Sequence, residues 1–234
     1  MPSELVLWHD IECGSYAEDL ELWRMLASEA EGAILDVGAG TGRVALDLAA
    51  RGHEVVALDT EPELLAALRE RAGDLPVEAV VGDARSFDLH RRFALILAPM
   101  QTVQLLGGEH DAFVACAAAH LAPGGIVAAA LANPPEYEGA VQPLPDMLER
   151  DGWLWSSQPI AVRRVDGGMA IERTRETVSP DGDRTVADDR IVLTTVLPGE
   201  LEACGLRHGL TPLPRREIPQ TDDYVGSEVV VLRA

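Results

Sequence analysis

ILDVGAGTGR, residues 34–43, is the stretch that decides how this chain is read. Its first four residues are an apolar run of strand type. The next ones place Asp36, Gly38, Gly40 and Gly42 at D-x-G-x-G-x-G spacing, with Ala39 inside the turn. Glycine has no Cβ, so the backbone can turn tightly there and come close to a ligand. Beyond the turn, Val44 and Leu48, like Ala45 and Ala49, repeat at i, i+4 as one helix face. Strand, glycine turn and helix in this order aim unpaired N–H groups at an anionic group.

Working outward, four more short apolar runs follow: EVVAL (54–58), VEAVV (77–81), ALILA (94–98) and IVAAA (126–130). Near-continuous apolarity means burial on both faces, as in a parallel sheet. Helical patterns alternate with the runs. Thr60 and Glu63 have capping-box spacing with Pro62 in the first turn, and a helix over about 109–121 stops at Pro123-Gly124-Gly125. The fold class expected is α/β: a doubly wound, mostly parallel seven-stranded sheet with helices on both faces. Upstream, Tyr16, Leu20, Trp23, Ala27 and Ala30 fall on one amphipathic helix. Downstream, 133–145 reads as a Pro-rich loop. Three antiparallel strands are expected at 153–165, 168–178 and 184–196, then a helix over Pro198 to Cys204 ended by Gly205. Strands near 207–213 and 228–233 close the chain. The whole is read as one domain: an N-terminal helical segment (1–32), a binding core (33–132), an insertion (133–196) and a closing helix and strand pair (197–234). The insertion is a lid or wall over an acceptor site, or a homodimer surface; the face carrying Trp153 and Trp155 is core by default.

Composition narrows the function. The formal net charge is −20, and all 19 basic residues are Arg. Such a surface repels phosphate backbones, which argues against a nucleic-acid partner. No apolar run reaches membrane-spanning length and no leader pattern precedes Asp10. Cys13, Cys116 and Cys204 lack paired spacing, as expected of reduced thiols in the cytoplasm. No His or Cys spacing supports a metal.

Two further carboxylates join the glycine turn. Asp59 ends the second run, where it can accept both ribose hydroxyls of an adenosine, with Thr60 beside it. Asp83, between Gly82 and Ala84 in VVGDARS, follows the third run, where its side chain and the Ala84 amide can hold an adenine edge. This set resembles the class I S-adenosylmethionine-dependent methyltransferase family over residues 34–131. The resemblance implies a donor site made of Asp36, Gly38, Ala39, Gly40, Gly42, Asp59, Thr60, Gly82, Asp83, Ala84 and Ala98. It also implies a methyl group near Ala98 to Gln101, and product S-adenosylhomocysteine. By the same likeness, Tyr16 is placed near the sulfonium and the last two strands form an antiparallel pair. The acceptor is expected to be a small molecule, methylated on N or O. His9 is a candidate base, Gln101 a pocket residue, and Trp8, Asp10, Glu12, Met100, Gln104, Asn133 and Tyr137 border the same region. The acidic N-terminal segment leans towards an amine. Three alternatives stay open, one of them an RNA or protein methyltransferase, against which the −20 charge and the lack of the family's usual extra domains weigh. In a nicotinamide-dependent oxidoreductase the third glycine of G-x-G-x-x-G would fall at Arg43. A non-catalytic binder of the same donor would keep the glycine turn but seal the acceptor side.

Overall fold

The computed structural model describes residues 3–138, 144–221 and 224–234. Two helices come first, α1 (Glu4–Cys13) and α2 (Leu20–Ser28). The alternating part is β1 (Ile34–Val37), α3 (Arg43–Ala49), β2 (Val55–Asp59), α4 (Pro62–Ala72), β3 (Val77–Val81), β4 (Phe93–Ala98), a 3-10 helix (Thr102–Leu106), α5 (His110–His120) and β5 (Leu121–Ala132). The insertion holds β6 (Tyr137–Glu138), β7 (Asp146–Arg150), β8 (Trp153–Val165), β9 (Gly168–Val178) and β10 (Arg184–Thr194). The chain ends in α6 (Pro198–Arg207), β11 (Thr211–Pro212), β12 (Arg216–Ile218) and β13 (Ser227–Arg233).

The main sheet runs β3-β2-β1-β4-β5-β13-β11, parallel as far as β5 and antiparallel at β13. Strand order reverses between β1 and β4, which opens a crevice at their carboxyl ends. Period-2 alternation sorts the core onto the two faces. Ile34, Val55 and Leu95 pack with Trp23, Leu48, Leu65 and Leu68 of α2–α4. Leu35, Val56 and Ile96 pack with Phe113, Val114 and Leu201 of α5 and α6. Seven strand positions hold eight strands, because β11 and β12 share the outer edge of β13. Pro214 lies between them and has no N–H to continue the ladder.

Several boundaries differ from the sequence expectation. The 109–121 helix ends at His120, and LAPGG already belongs to β5, which bulges against β4 between Phe93 and Leu95. The Thr60/Glu63 capping box does not form. Pro62 sets the start of α4, the N-cap is Glu61, and Asp59 instead accepts from the Glu61 amide at 2.9 Å. Gly205 does not end α6. It lies inside the helix, where a Cβ would come 2.8 Å from Leu232, so its role is close helix–sheet packing.

The antiparallel strands form a second sheet, ordered β10-β9-β8-β6 with β7 also on β8. Three of its strands match the expected stretches, the last ending at Thr194. The expected loop over 133–145 contains β6; residues 139–143 lie outside the described chain. β7 was not anticipated, because DMLER is too charged to read as a strand.

The N-terminal helix expected from Tyr16 to Ala30 is the shorter α2, Leu20–Ser28, with Tyr16 in the link that joins it to α1, a helix the sequence reading did not expect. α1 escapes periodicity because it is covered on two sides. Leu7, Trp8 and Ile11 pack on Trp155 of the second sheet, next to which Trp153 stacks at 5.9 Å. That makes the tryptophan face core. Polar contacts clamp α1 to both layers. Asp10 accepts from Thr41 Oγ1 at 2.8 Å and from both terminal nitrogens of Arg71. Glu12 accepts from Ser157 Oγ at 2.8 Å and from Arg175 Nε and NH2, each at 2.8 Å. Burial works to raise both carboxyls, but these partners outweigh it and hold them below their ordinary values. Neither acid is therefore free to receive an amine. Glu12→Gln should cost about 1–3 kcal/mol of stability, the worth of partly buried charged hydrogen bonds. Urea unfolding monitored by tryptophan fluorescence measures it, and an unchanged midpoint would contradict the clamp.

Candidate active site

A crevice of about 470 Å³ opens at the carboxyl ends of β1, β2, β3 and β4. This lies within the roughly 300–1,000 Å³ usual for small-molecule sites. Asp36, Gly38 and Ala39 line it from the first turn, Asp59 and Thr60 from the end of β2, and Gly82, Asp83 and Ala84 from the segment after β3. Met100 and Gln101 border it after β4, and His9 and Cys13 from α1. Of the residues expected to hold the donor or act at the methyl group, four do not line it. Ala98 is fully buried beneath it, and Gly40, Gly42 and Tyr16 are turned to other neighbours.

The glycine turn is held from inside the protein. The Gly38 and Ala39 amides donate to the Leu58 carbonyl at 2.8 and 3.0 Å, and the Gly40 amide to Asp59 Oδ2 at 2.8 Å. Gly40 has φ +55, and a Cβ there would overlap the imidazole of His9. The glycine at this position thus makes room for a side chain of α1 as well as for backbone curvature, a packing partner the motif alone does not reveal. His9 is half-buried, and the loss of solvent lowers its pKa from the ordinary value against the opposing pull of Asp10 and Asp59. Its Nδ1 lies 3.4 Å from Thr41 Oγ1.

The three strand-end carboxylates sit in different environments. Asp59 spends one lone pair of each oxygen on backbone amides, those of Gly40 and Glu61, and keeps the others. Asp83 is held by Arg85, whose side chain and amide donate to it, and its pKa falls to about 2 for that reason. Asp36 is the exception. It is 1% exposed, and neither carboxyl oxygen has a hydrogen-bond partner. Burial pushes its pKa to about 7, against the weaker opposing pull of Arg43 and the Ala45 amide.

Arg43 also lines the crevice. It forms a bidentate pair with buried Asp19 at 2.5 and 2.7 Å and donates to the Tyr16 carbonyl at 2.9 Å. Trp23 Nε1 donates to the same Asp19 at 2.8 Å. Tyr16 packs with its ring 5.0 Å from the Arg43 guanidinium and 4.9 Å from the Tyr224 ring. Burial, then Asp19, raises its phenol to about 12. Tyr16 therefore stands behind Arg43 rather than in the crevice.

Among the acceptor-side candidates, Gln101 and Met100 remain at the crevice, and Met100 has the left-handed φ of +54. Gln104 is occupied elsewhere: its amide is bonded to both the N–H and the carbonyl of Ala132, at 2.8 and 2.9 Å. Asn133 is exposed at a second cavity, and the backbone of Tyr137 pairs with Val162. Sequence reasoning did not single out Cys13, Thr102, Leu105 and Leu106 as lining residues. An apolar TVQLL helix and a lone cysteine carry no motif. Arg85 was not singled out either; its place two residues after Asp83 is the signal that would have found it.

The strand order, the glycine turn and the acids near the ends of β1 and β2 and after β3 define a Rossmann-like α/β domain with its crevice at the switch point. Residues 34–125 match a family model described as a methyltransferase domain. Over 109 residues the chain is 33% identical to the cypemycin N-terminal methyltransferase of a Streptomyces species. That match takes in 46% of this chain and 44% of the relative, less than half the length of each. Among solved structures, the sugar N-methyltransferase KedS8 from Streptoalloteichus superposes with a TM-score of 0.78 at 20% identity, covering 100% of this chain and 94% of that one. CalS10, an amino pentose methyltransferase from Micromonospora echinaspora bound to S-adenosylmethionine, superposes at 0.75 with 24% identity, covering 98% and 97%. At these identities the superpositions establish the fold.

Proposed function

We propose that the chain is an S-adenosylmethionine-dependent methyltransferase that moves a methyl group to an N or O atom of a small molecule. The observation that carries this is Asp36: a fully buried carboxylate with no partner, at the wall of a crevice of the right size. A buried polar group without a partner is costly, and the ammonium of an adenosylated amino acid would satisfy it. In this assignment Asp59 takes the ribose hydroxyls with its remaining lone pairs, while Asp83 and the Ala84 amide take the adenine edge. Gly38, Ala39, Thr60 and Gly82 form the walls; Gly40, Gly42 and Ala98 shape the turn and floor.

The donor, when bound, supplies a methyl group already activated on sulfonium. What remains for the protein is to orient the acceptor and exclude water, and alignment of this kind supplies much of a displacement barrier. Gln101 and His9, both at the crevice, are assigned to the acceptor side. Tyr16 is assigned a positioning role through Arg43. A nitrogen acceptor is supported by what the similar proteins are named for: a peptide N-terminus, a sugar nitrogen and an amino pentose. The three free thiols and the −20 charge support a reducing compartment and a partner other than nucleic acid. Among the described residues no helix is long and apolar enough to cross a membrane.

Calorimetry with S-adenosylhomocysteine is the test. The wild type should bind, and Asp59→Ala should weaken binding by about 1–3 kcal/mol. Part of that loss comes from releasing the Gly40 amide. Unchanged affinity in the variant overturns the ribose assignment, and no binding by the wild type overturns the function.

A further inference from the structure

Among the described residues, the edges of both sheets are short or interrupted, with one exception. Beyond β13 the main sheet ends in the short β11 and β12, with Pro212 and Pro214 among them. Its other edge, β3, has five residues and carries Glu78 exposed. On the far side of β8 the second sheet ends in the short β6 and β7. β10 is different. It closes its sheet as an 11-residue strand without proline or glycine, in unbroken register with β9 from Arg184 to Thr194. The 3-10 helix packs against β10 at its carboxyl end, where Gln104 and Leu193 border one cavity. Arg184 to Asp188, and Arg190, are left exposed. A long, regular edge of this kind is a template for another strand.

The ladder with β9 leaves one set of backbone groups open. At the two ends of the β9–β10 hairpin, the Ser179 amide donates to the Asp183 carbonyl and the Thr195 amide to the Gly167 carbonyl, each at 2.9 Å. Bonded and non-bonded pairs alternate along an antiparallel ladder, so the odd-numbered residues of β10 bond β9. The even-numbered ones turn their N–H and C=O groups to the open edge. Val186, Asp188, Arg190 and Val192 are of this set, and their side chains share one face of the sheet. All four are exposed, Val186 by 49% and Val192 by 40%. Arg190 Nε lies 3.8 Å from Glu172, its neighbour across the strand pair, which is too long for a hydrogen bond.

We propose that β10 pairs antiparallel with β10 of a second copy of this chain, about a two-fold axis at Asp189. The order Val-Asp-Arg-Val on alternate positions complements itself when the strand is reversed. Val186 then faces Val192 and Asp188 faces Arg190, and the symmetry repeats both contacts. Cross-strand apolar pairs and opposite charges stabilise a sheet, while like charges directly opposed destabilise it. Neighbouring registers lose this match. Centred on Asp188 or Arg190, the pairing sets a charge against itself; centred on Ala187 or Ile191, it sets a charge against a valine. The one like pair in the favoured register is Asp189 with its counterpart. It falls on the other face, where Arg175 at 3.1 Å and Arg173 at 3.8 Å already offset each carboxylate. A two-fold contact of this kind uses the same patch on both copies, so assembly closes at the dimer.

Sedimentation velocity of the full chain over a concentration series is the test. One strand pair is a small interface, so the 25.1 kDa chain should dimerise with a Kd on the order of 1–10 μM. Asp188→Arg and Arg190→Asp each put two like pairs into the interface and should weaken the dimer about tenfold or more. An equimolar mixture of the two variants should dimerise as the wild type does, because each then supplies the charge that the other lacks. That recovery also shows that both variants are folded. The double variant Asp188→Arg/Arg190→Asp should dimerise by itself, with the charges exchanged. A wild type that stays monomeric at about 100 μM overturns the proposal, and so does assembly beyond the dimer. It is overturned equally if either single variant dimerises as tightly as the wild type, or if neither the mixture nor the double variant recovers the dimer.

Discussion

Gly40→Ala is expected to lower the affinity for S-adenosylhomocysteine by on the order of 100-fold and to lower thermal stability with it. Two costs combine. A non-glycine residue held in the left-handed region costs about 1–2 kcal/mol, and Gly40 sits at φ +55. The new methyl would also occupy the space of the His9 imidazole, and overpacking of this kind costs about 1–3 kcal/mol. His9 has little room to yield. Its helix is fixed on one side by Asp10 to Arg71 and Thr41, and on the other by Glu12 to Arg175 and Ser157. The turn must then shift instead, breaking the Gly40 to Asp59 hydrogen bond and moving Asp59. The double variant His9→Ala/Gly40→Ala separates the two costs. Removing the ring should recover the steric part, giving a coupling of about 1–3 kcal/mol between the sites. Calorimetry and thermal unfolding of the four proteins measure it. A Gly40→Ala protein that binds like the wild type, or a cycle with no coupling, would show that His9 and the turn are not packed as described.

Much of this arrangement was legible before the structure, and the reason is physical. β1, β2 and β4 are buried on both faces, so their sequences are continuous apolar runs. Acids at strand ends stand out against such runs, which is how Asp36, Asp59 and Asp83 could be named. β8 and β9 were legible through their turns, where Gly167 takes a positive φ. What failed were features set by tertiary contact. α1 is covered by α4 on one side and by the second sheet on the other, so its apolar residues do not fall on one stripe. Tyr16 fits a helical spacing but is drawn under Arg43 and Tyr224. Asp10 and Glu12 looked like free acids because their partners, Arg71 and Arg175, are distant in sequence. Gln104 looked like a pocket residue, but it closes the backbone of Ala132. Spacing reports which residues share a face; it is silent on what covers that face.

Asp36→Asn should make the ligand-free protein more stable at pH 8 and a far weaker donor binder. The burial of Asp36 raises its pKa from 3.8 to about 7. A carboxyl whose pKa is higher folded than unfolded binds a proton on folding. Its contribution is therefore full below the unfolded value and is lost as pH rises through the folded one. Between about pH 4 and 7 the ligand-free chain should lose on the order of 4 kcal/mol from this residue alone. Asparagine cannot ionise, so the variant should lack that slope in urea unfolding across the same window. Donor binding has the opposite sign. A ligand ammonium meeting Asp36 favours the carboxylate, so binding releases a proton, and S-adenosylhomocysteine affinity should rise about tenfold per pH unit up to about 7, then level off. At pH 6, titrations in buffers of different ionisation enthalpy should register close to one proton released, and none in the variant. The variant should bind about 100-fold more weakly at pH 8, because an amide gives the ammonium no charge partner. A flat affinity profile in the wild type, with Asp36→Asn binding as tightly, would mean that this buried acid does not meet the donor's amino group. The unpaired carboxylate would then be a cost that the fold carries without return.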